Sequence, residues 1–231
     1  MHKFQHTTPR RPEYQPHRHN TPEYGNNIEY AEAEDATPPL DKDEIKELMG
    51  IVGSLILWGR AIYNTMLTAL SDLAAAQAKG NKATQEAAKK PLNSCATYPN
   101  PTISFQGIQM ALKVHSDASY LSAPKARSRA GGNLFIGKYS DASNPNIHNG
   151  TLVYFVSIIK HVVSSAAEAE TGTLFINMKE EEVIIKTLEY MGWHQRKPIP
   201  IATNNSTAVR IANDTINKRR SKVMDMRFYW Y

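Results

Sequence analysis

Cysteine is nearly absent. Cys95 is the single one in 231 residues, which excludes any disulfide within the chain and fits a reducing compartment or no redox constraint. Long apolar runs are missing too. The longest, Ile51-Val-Gly-Ser-Leu-Ile-Leu-Trp58, falls far short of the roughly 20 residues that span a bilayer. The N-terminal residues carry His, Arg and Pro in place of an apolar signal region. The expectation is an intracellular protein, cytoplasmic or nuclear, that is not secreted and has no membrane partner. Gly131-Gly132 opens a strand-like run rather than a helix, so the dinucleotide pattern fails and no small-molecule cofactor is expected. No Ser–His–Asp or Cys–His arrangement is legible. Acidic residues are outnumbered 22 to 27 by Lys and Arg, giving a formal net charge of +5, a balance compatible with a polyanionic partner.

What is present suits a globular protein with a substantial core: 41% of residues are hydrophobic and 21% charged. Residues 1–40 stand apart. Pro9, Pro12, Pro16, Pro22, Pro38 and Pro39 interrupt any helix and apolar residues are sparse, which predicts a disordered tail. His2, His6, His17 and His19 fit that solvated tail better than a metal site. Residues 41–100 read as a small helical segment. Asp41 or Asp43 caps a helix with Ile45, Leu48, Ile51, Val52 and Leu55 at spacings of three and four. A second helix begins near Asn64 and Thr65 and places Met66, Leu67, Leu70, Leu73 and Ala74 on one face. A third runs from about Thr84 to Ala96, where Pro91 is expected to kink or shorten it. These stripes imply packing between helices.

Residues 101–231 change character and predict an α/β domain. In Met110–Asp117, Leu112, Val114 and Ser116 share one strand face, and Lys113, His115 and Asp117 the other. Gly131–Gly137 and Thr151–Ser157 are two further strands, separated by the loop Lys138–Gly150. A long helix, Ala166–Met191, ends at Gly192. The strand Ile199–Thr203 and the short helix Ser206–Ala212 follow. Three consecutive strands favour an antiparallel meander, after which a crossover helix returns the fourth strand parallel to the first. That mixed sheet brings the end of the Asp117 strand beside Asn204, with Glu170 on the crossover helix close by. Asp225 lies further on, in Lys222-Val-Met-Asp225-Met-Arg227. Carboxylates gathered in this way can hold two divalent metals for phosphodiester cleavage. The string Ser-Asp-Ala-Ser occurs at 116–119 and again at 140–143. Asp117 follows an alternating strand, whereas Asp141 sits in a loop.

Two basic clusters adjoin these acids. Lys125, Arg127 and Arg129 form one, and Lys218, Arg219, Arg220 and Lys222 the other. Their placement favours neutralising nucleic-acid phosphates over an ordinary solvated face. Tyr120, Phe228, Tyr229 and Trp230 could stack on sugars or bases, or pack in a core. His161 reads as structural, and His115 shares the strand face of Asp117.

In combination, these strings resemble the ribonuclease H domain at the C-terminal end of copia-type retrotransposon polyproteins. The matching segments are His115-Ser-Asp-Ala-Ser119 with Arg127-Ser-Arg-Ala-Gly-Gly132, Ser164-Ser-Ala-Ala-Glu-Ala-Glu170, Thr203-Asn-Asn-Ser-Thr-Ala208, and Lys218-Arg-Arg-Ser-Lys222 with Met224-Asp-Met-Arg-Phe-Tyr229. Upstream, Ile51-Val-Gly-Ser-Leu55 and Pro91–Pro99 are similar to the connection between reverse transcriptase and ribonuclease H. The resemblance spans roughly residues 45–231. It implies a ribonuclease H-like fold over residues 101–231 and two-metal hydrolysis of RNA in an RNA–DNA hybrid. It also implies two Mg²⁺ ions, with Asp117 bridging them, Glu170 holding one and Asp225 the other. Glu168 is the rival of Glu170. Leu174 and Asn177 follow Glu170 at helical spacing, as the family pattern requires. The family has Asp where this chain has Asn204, so the resemblance also implies weakened Mg²⁺ binding and impaired cleavage. Together with the chain's end soon after Asp225, it suggests a fragment or decayed copy of a mobile element.

Overall fold

In the computed structural model of this protein, residues 4, 6, 9–17, 37–123, 126–139 and 149–215 are described. The chain divides into two compact units, the first Met1–Thr102 with Pro124–Ala126 and the second Ile103–Ala123 with Arg127–Tyr231.

The first unit is helical. Helix α1 (Lys42–Ala61) starts at a capping box. Asp41 Oδ1 accepts from the amides of Asp43 and Glu44, each at 2.9 Å, and the Glu44 carboxylate accepts from Asp41 N–H at 3.2 Å. Such a cap stabilises a helix end by about 1 kcal/mol. Leu48, Ile51, Val52 and Leu55 are buried, as their spacing predicts. A 3₁₀ turn (Asn64–Met66) leads into α2 (Leu67–Ala76), and Asn81 caps α3 (Lys82–Thr97). Pro91 does not end α3: the helix, 16 residues in all, runs on through it to Thr97. The reason is placement. The carbonyl that Pro91 leaves without a donor belongs to Ala87, which faces solvent, while Pro91 itself is buried beside Leu92. Described residues of the proline-rich tail lie against these helices. Glu13 N–H donates to Thr97 Oγ1 at 3.0 Å, and Tyr14 meets Tyr98 with ring centroids 6.4 Å apart. His2 and His19 fall outside the described residues.

The second unit is α/β, with a four-stranded mixed sheet ordered β3-β2-β1-β4. Strand β1 (Ala111–Ala123) pairs antiparallel with β2 (Arg127–Gly137), which pairs antiparallel with β3 (Thr151–Ile158). The long helix α4 (Ala166–Tyr190) crosses over, and β4 (Ile201–Ala202) returns parallel to β1, with α5 (Ser206–Ala212) after it. One sheet face packs on α4 through Leu112, Val114, Leu134, Ile136 and Leu188. A second cluster, Ala130, Ile159, Val163 and Ala169, closes the end nearer the start of α4.

Two strand expectations change. The β1–β2 hairpin extends beyond Asp117 to Ala123 and takes in Arg127 and Arg129, with a register shift between Ser119 and Ala123. Strand β4 shrinks to Ile201–Ala202, where Ile199–Thr203 was expected. Pro198 and Pro200 have no N–H to donate to a ladder, so pairing begins only after them. The Gln195 side chain supplies the missing edge contact. Its Oε1 accepts from Leu112 N–H and its Nε2 donates to Met110 O, both at 2.9 Å.

Candidate functional site

Strands β1 and β4 pair only through Val114–Ile201 and His115–Ala202, then separate. Parallel strands that part at their carboxyl ends leave a crevice, a recurrent place for ligands in α/β sheets. Asp117 and Asn204 stand on its two sides. Asp117 is exposed and lies opposite Gly131 of β2 in the register. Asn204 Nδ2 donates to Asp117 Oδ1 at 3.3 Å.

Glu170 reaches the same place from the first turns of α4. It is 4% exposed. Its Oε2 accepts from Thr203 Oγ1 at 3.2 Å, and the carboxylate accepts from the backbone N–H of Ala118. Burial pushes the Glu170 carboxyl above its ordinary range. The hydrogen bond from Ala118 opposes that shift, the charge on Asp117 adds to it, and the hydrogen bond from Thr203 opposes it. The Glu170 carboxylate, fixed by a main-chain and a hydroxyl donor near the charge of Asp117, is a donor that a cation would relieve.

Glu168 does something different. Its amide donates to Ser165 Oγ at 3.2 Å, and its carboxylate accepts from Ser164 N–H and Ser164 Oγ, both at 2.7 Å. It closes the N-terminus of α4, while Glu170 faces Asp117.

The loop between β4 and α5 sets the other wall. Asn205 is the N-cap of α5, accepting from Ala208 N–H at 2.9 Å. Its neighbours Thr203 and Asn204 are thereby held toward Glu170 and Asp117. Thr203 was not singled out in the sequence, because a hydroxyl at the mouth of a crevice has no periodic signature. No local pattern marks Tyr154 either. It lies on the sheet face of Asp117, and burial, with a smaller contribution from the Asp117 charge, raises its hydroxyl pKa.

The remaining candidates fare unevenly. Arg127 is exposed at the start of β2, whereas Arg129 is 7% exposed within it and so is poorly placed to meet phosphate. His115 turns its ring edge-on to Phe135, with centroids 5.1 Å apart. Tyr120 packs against the Ala130 cluster. Asp225, Lys125, Lys218, Arg219, Arg220, Lys222, Asp141, Phe228, Tyr229 and Trp230 lie outside the described residues. Among the described residues, no group of three or more His, Cys, Asp or Glu gathers in a metal-holding arrangement, and no helix is long and apolar enough to cross a membrane. Compared with protein-family models, curated proteins and solved structures, the chain has no significant match.

Proposed function

We propose that the second unit is a ribonuclease H-like domain of copia-type retrotransposon descent, acting on the RNA strand of an RNA–DNA hybrid with impaired metal-dependent cleavage. The observation that carries this reading is the meeting of Asp117, Glu170 and Asn204 at one crevice, from segments far apart in the chain. The mixed sheet with its crossover helix agrees with the same lineage.

Asp117 and Glu170 would hold divalent cations, with Asp225 as the third carboxylate that the resemblance supplies. The pair fits such a cation, because one acid is exposed and the other is buried beside it. Bound Mg²⁺ would lower the pKa of a water and offset charge developing on the phosphate. The chain's own groups prepare the site. Thr203 and the Ala118 amide fix the Glu170 carboxylate, and Asp117 presents its carboxylate outward. Asn204 works against the arrangement. It turns an N–H toward Asp117 where an aspartate would add a further acceptor, so its amide partly fulfils the role of the cation.

That last contact favours a second reading, a catalytically inactive remnant that still binds nucleic acid. Incubating the full chain with a labelled hybrid in Mg²⁺ and in Mn²⁺ separates the two. Slow cleavage that falls at least a hundredfold in Asp117→Asn is the expected result. Hybrid binding with steep salt dependence and no cleavage supports the remnant. Neither binding nor cleavage overturns both and leaves a structural remnant without ligand.

A further inference from the structure

Asn177 is fully buried on α4, about two turns beyond Glu170 and on the same side of the helix. Its Nδ2 donates to Ser116 Oγ at 3.0 Å, to Gly131 O at 3.2 Å and to Thr173 O at 3.1 Å. Two of those acceptors flank one catalytic candidate. Ser116 precedes Asp117 in β1, and Gly131 is its partner across the β1–β2 ladder. A single amide therefore joins the helix that carries Glu170 to both strands that hold Asp117.

The arrangement is not an economical way to fill a core. Asn177 Oδ1 is buried and, among the described residues, has no hydrogen-bond partner. A leucine of similar size would avoid that desolvated acceptor. The sheet also makes room for the amide. A Cβ at Gly132 would collide with Asn177 Oδ1 and with the Phe155 ring, so the glycine is the complement of the asparagine. A directional contact is retained here at some cost to packing, which is the behaviour of a group that sets geometry.

We propose that Asn177 is a positioning residue: its amide sets the slide and rotation of α4 on β1 and β2, so that Glu170 reaches Ala118 and Thr203 while Asp117 faces the same crevice. The metal-binding consequence rests on the function proposed above, but the geometric claim does not.

The test uses the full chain with Asn177→Leu, and Ser116→Ala as a milder variant. The first readout is hydrogen exchange of the Ala118 amide relative to the Val114 amide, followed by NMR without metal. Loss of the Glu170 acceptor is expected to speed Ala118 exchange at least tenfold in Asn177→Leu, and by a smaller factor in Ser116→Ala, with Val114 unchanged. The second readout is Mn²⁺ affinity by calorimetry, expected to weaken at least tenfold in Asn177→Leu while Tm stays level or rises. An unchanged Ala118-to-Val114 ratio in folded Asn177→Leu overturns the proposal. If that variant does not fold, an unchanged ratio in Ser116→Ala overturns it instead. A wild-type chain that binds no Mn²⁺ sinks the nuclease reading, and the exchange ratio still decides the role of Asn177.

Discussion

Asn204 Nδ2 donates to Asp117 Oδ1 across 3.3 Å, joining residues 87 positions apart at the mouth of the β1–β4 crevice. The pair meets because β4 runs parallel to β1 and releases it after two registered positions. An amide at this corner both satisfies Asp117 and withholds a negative charge from the crevice.

Replacing that amide with a carboxylate has opposite effects with and without metal. In chelator, Asn204→Asp loses the N–H···O bond and adds a third acid near Asp117 and Glu170. A loss of about 1 kcal/mol in stability is expected. In Mn²⁺ the same variant is expected to bind at least tenfold more tightly than wild type and to recover its Tm. Calorimetry and thermal melts in both buffers check this. A variant equally unstable in both, with unchanged Mn²⁺ affinity, would remove Asn204 from the proposed impairment of cleavage.

Glu168 and Glu170 separate by what their loss changes. Glu168→Ala removes the acceptor for Ser164 N–H and Oγ, and about 0.5–2 kcal/mol of stability is expected to go with it. Ion affinity is expected to stay the same. Glu170→Gln neutralises a buried carboxyl at little cost to stability but is expected to abolish measurable Mn²⁺ binding. Urea unfolding and calorimetry on the two variants test the division, and a reversed pattern would reassign the ligand to Glu168.

The adjacent glycines of β2 also differ. At Gly132 a Cβ meets Asn177 and Phe155 head-on, whereas at Gly131 its nearest neighbour is Asp117 O at 3.5 Å. Gly132→Ala is expected to destabilise the second unit by about 2–3 kcal/mol, and Gly131→Ala by about 1 kcal/mol or less. Denaturant midpoints of the two variants provide the comparison. Equal midpoints would contradict the packing described for α4.

Glu181 gives the second unit a pH dependence. It is 7% exposed on α4, and burial pushes its carboxyl up to about 7 from 4.5. The folded state therefore holds this proton more tightly than the unfolded chain. Its contribution to stability is full below about pH 4.5 and is lost as pH rises to about 7. The loss amounts to about 1–2 kcal/mol once solvent access to the carboxylate is allowed for. Glu181→Gln is expected to flatten that segment of the stability curve and to raise Tm at pH 8. A slope unchanged between pH 5 and pH 7 would place the titration elsewhere.

Local pattern accounts for much of this architecture. The start of α1 at Asp41 or Asp43, the Leu48–Leu55 stripe, the alternation in Met110–Asp117 and the Ser206 helix can be read from neighbouring residues, because helices and strands have fixed side-chain periods. The effect of proline is less legible in neighbouring residues. Pro91 is tolerated where its orphan carbonyl meets water, and Pro198 and Pro200 curtail β4, so the outcome depended on which side of each element faces solvent.

The amino-acid order by itself determined the sequence of helices and strands, though not all of their bounds, and that Asp117 would end up at a strand position with neighbours of alternating character. Only the tertiary structure decided that Glu170 turns to the crevice while Glu168 caps α4, that Thr203 meets Glu170, that Tyr154 lies on the sheet face of Asp117, that Arg129 is buried, and that Gly132 makes room for Asn177. The physical reason is range. Periodicity is written over a few residues, whereas these contacts depend on strand register and helix slide between segments many tens of positions apart, and a small displacement of either rearranges them all.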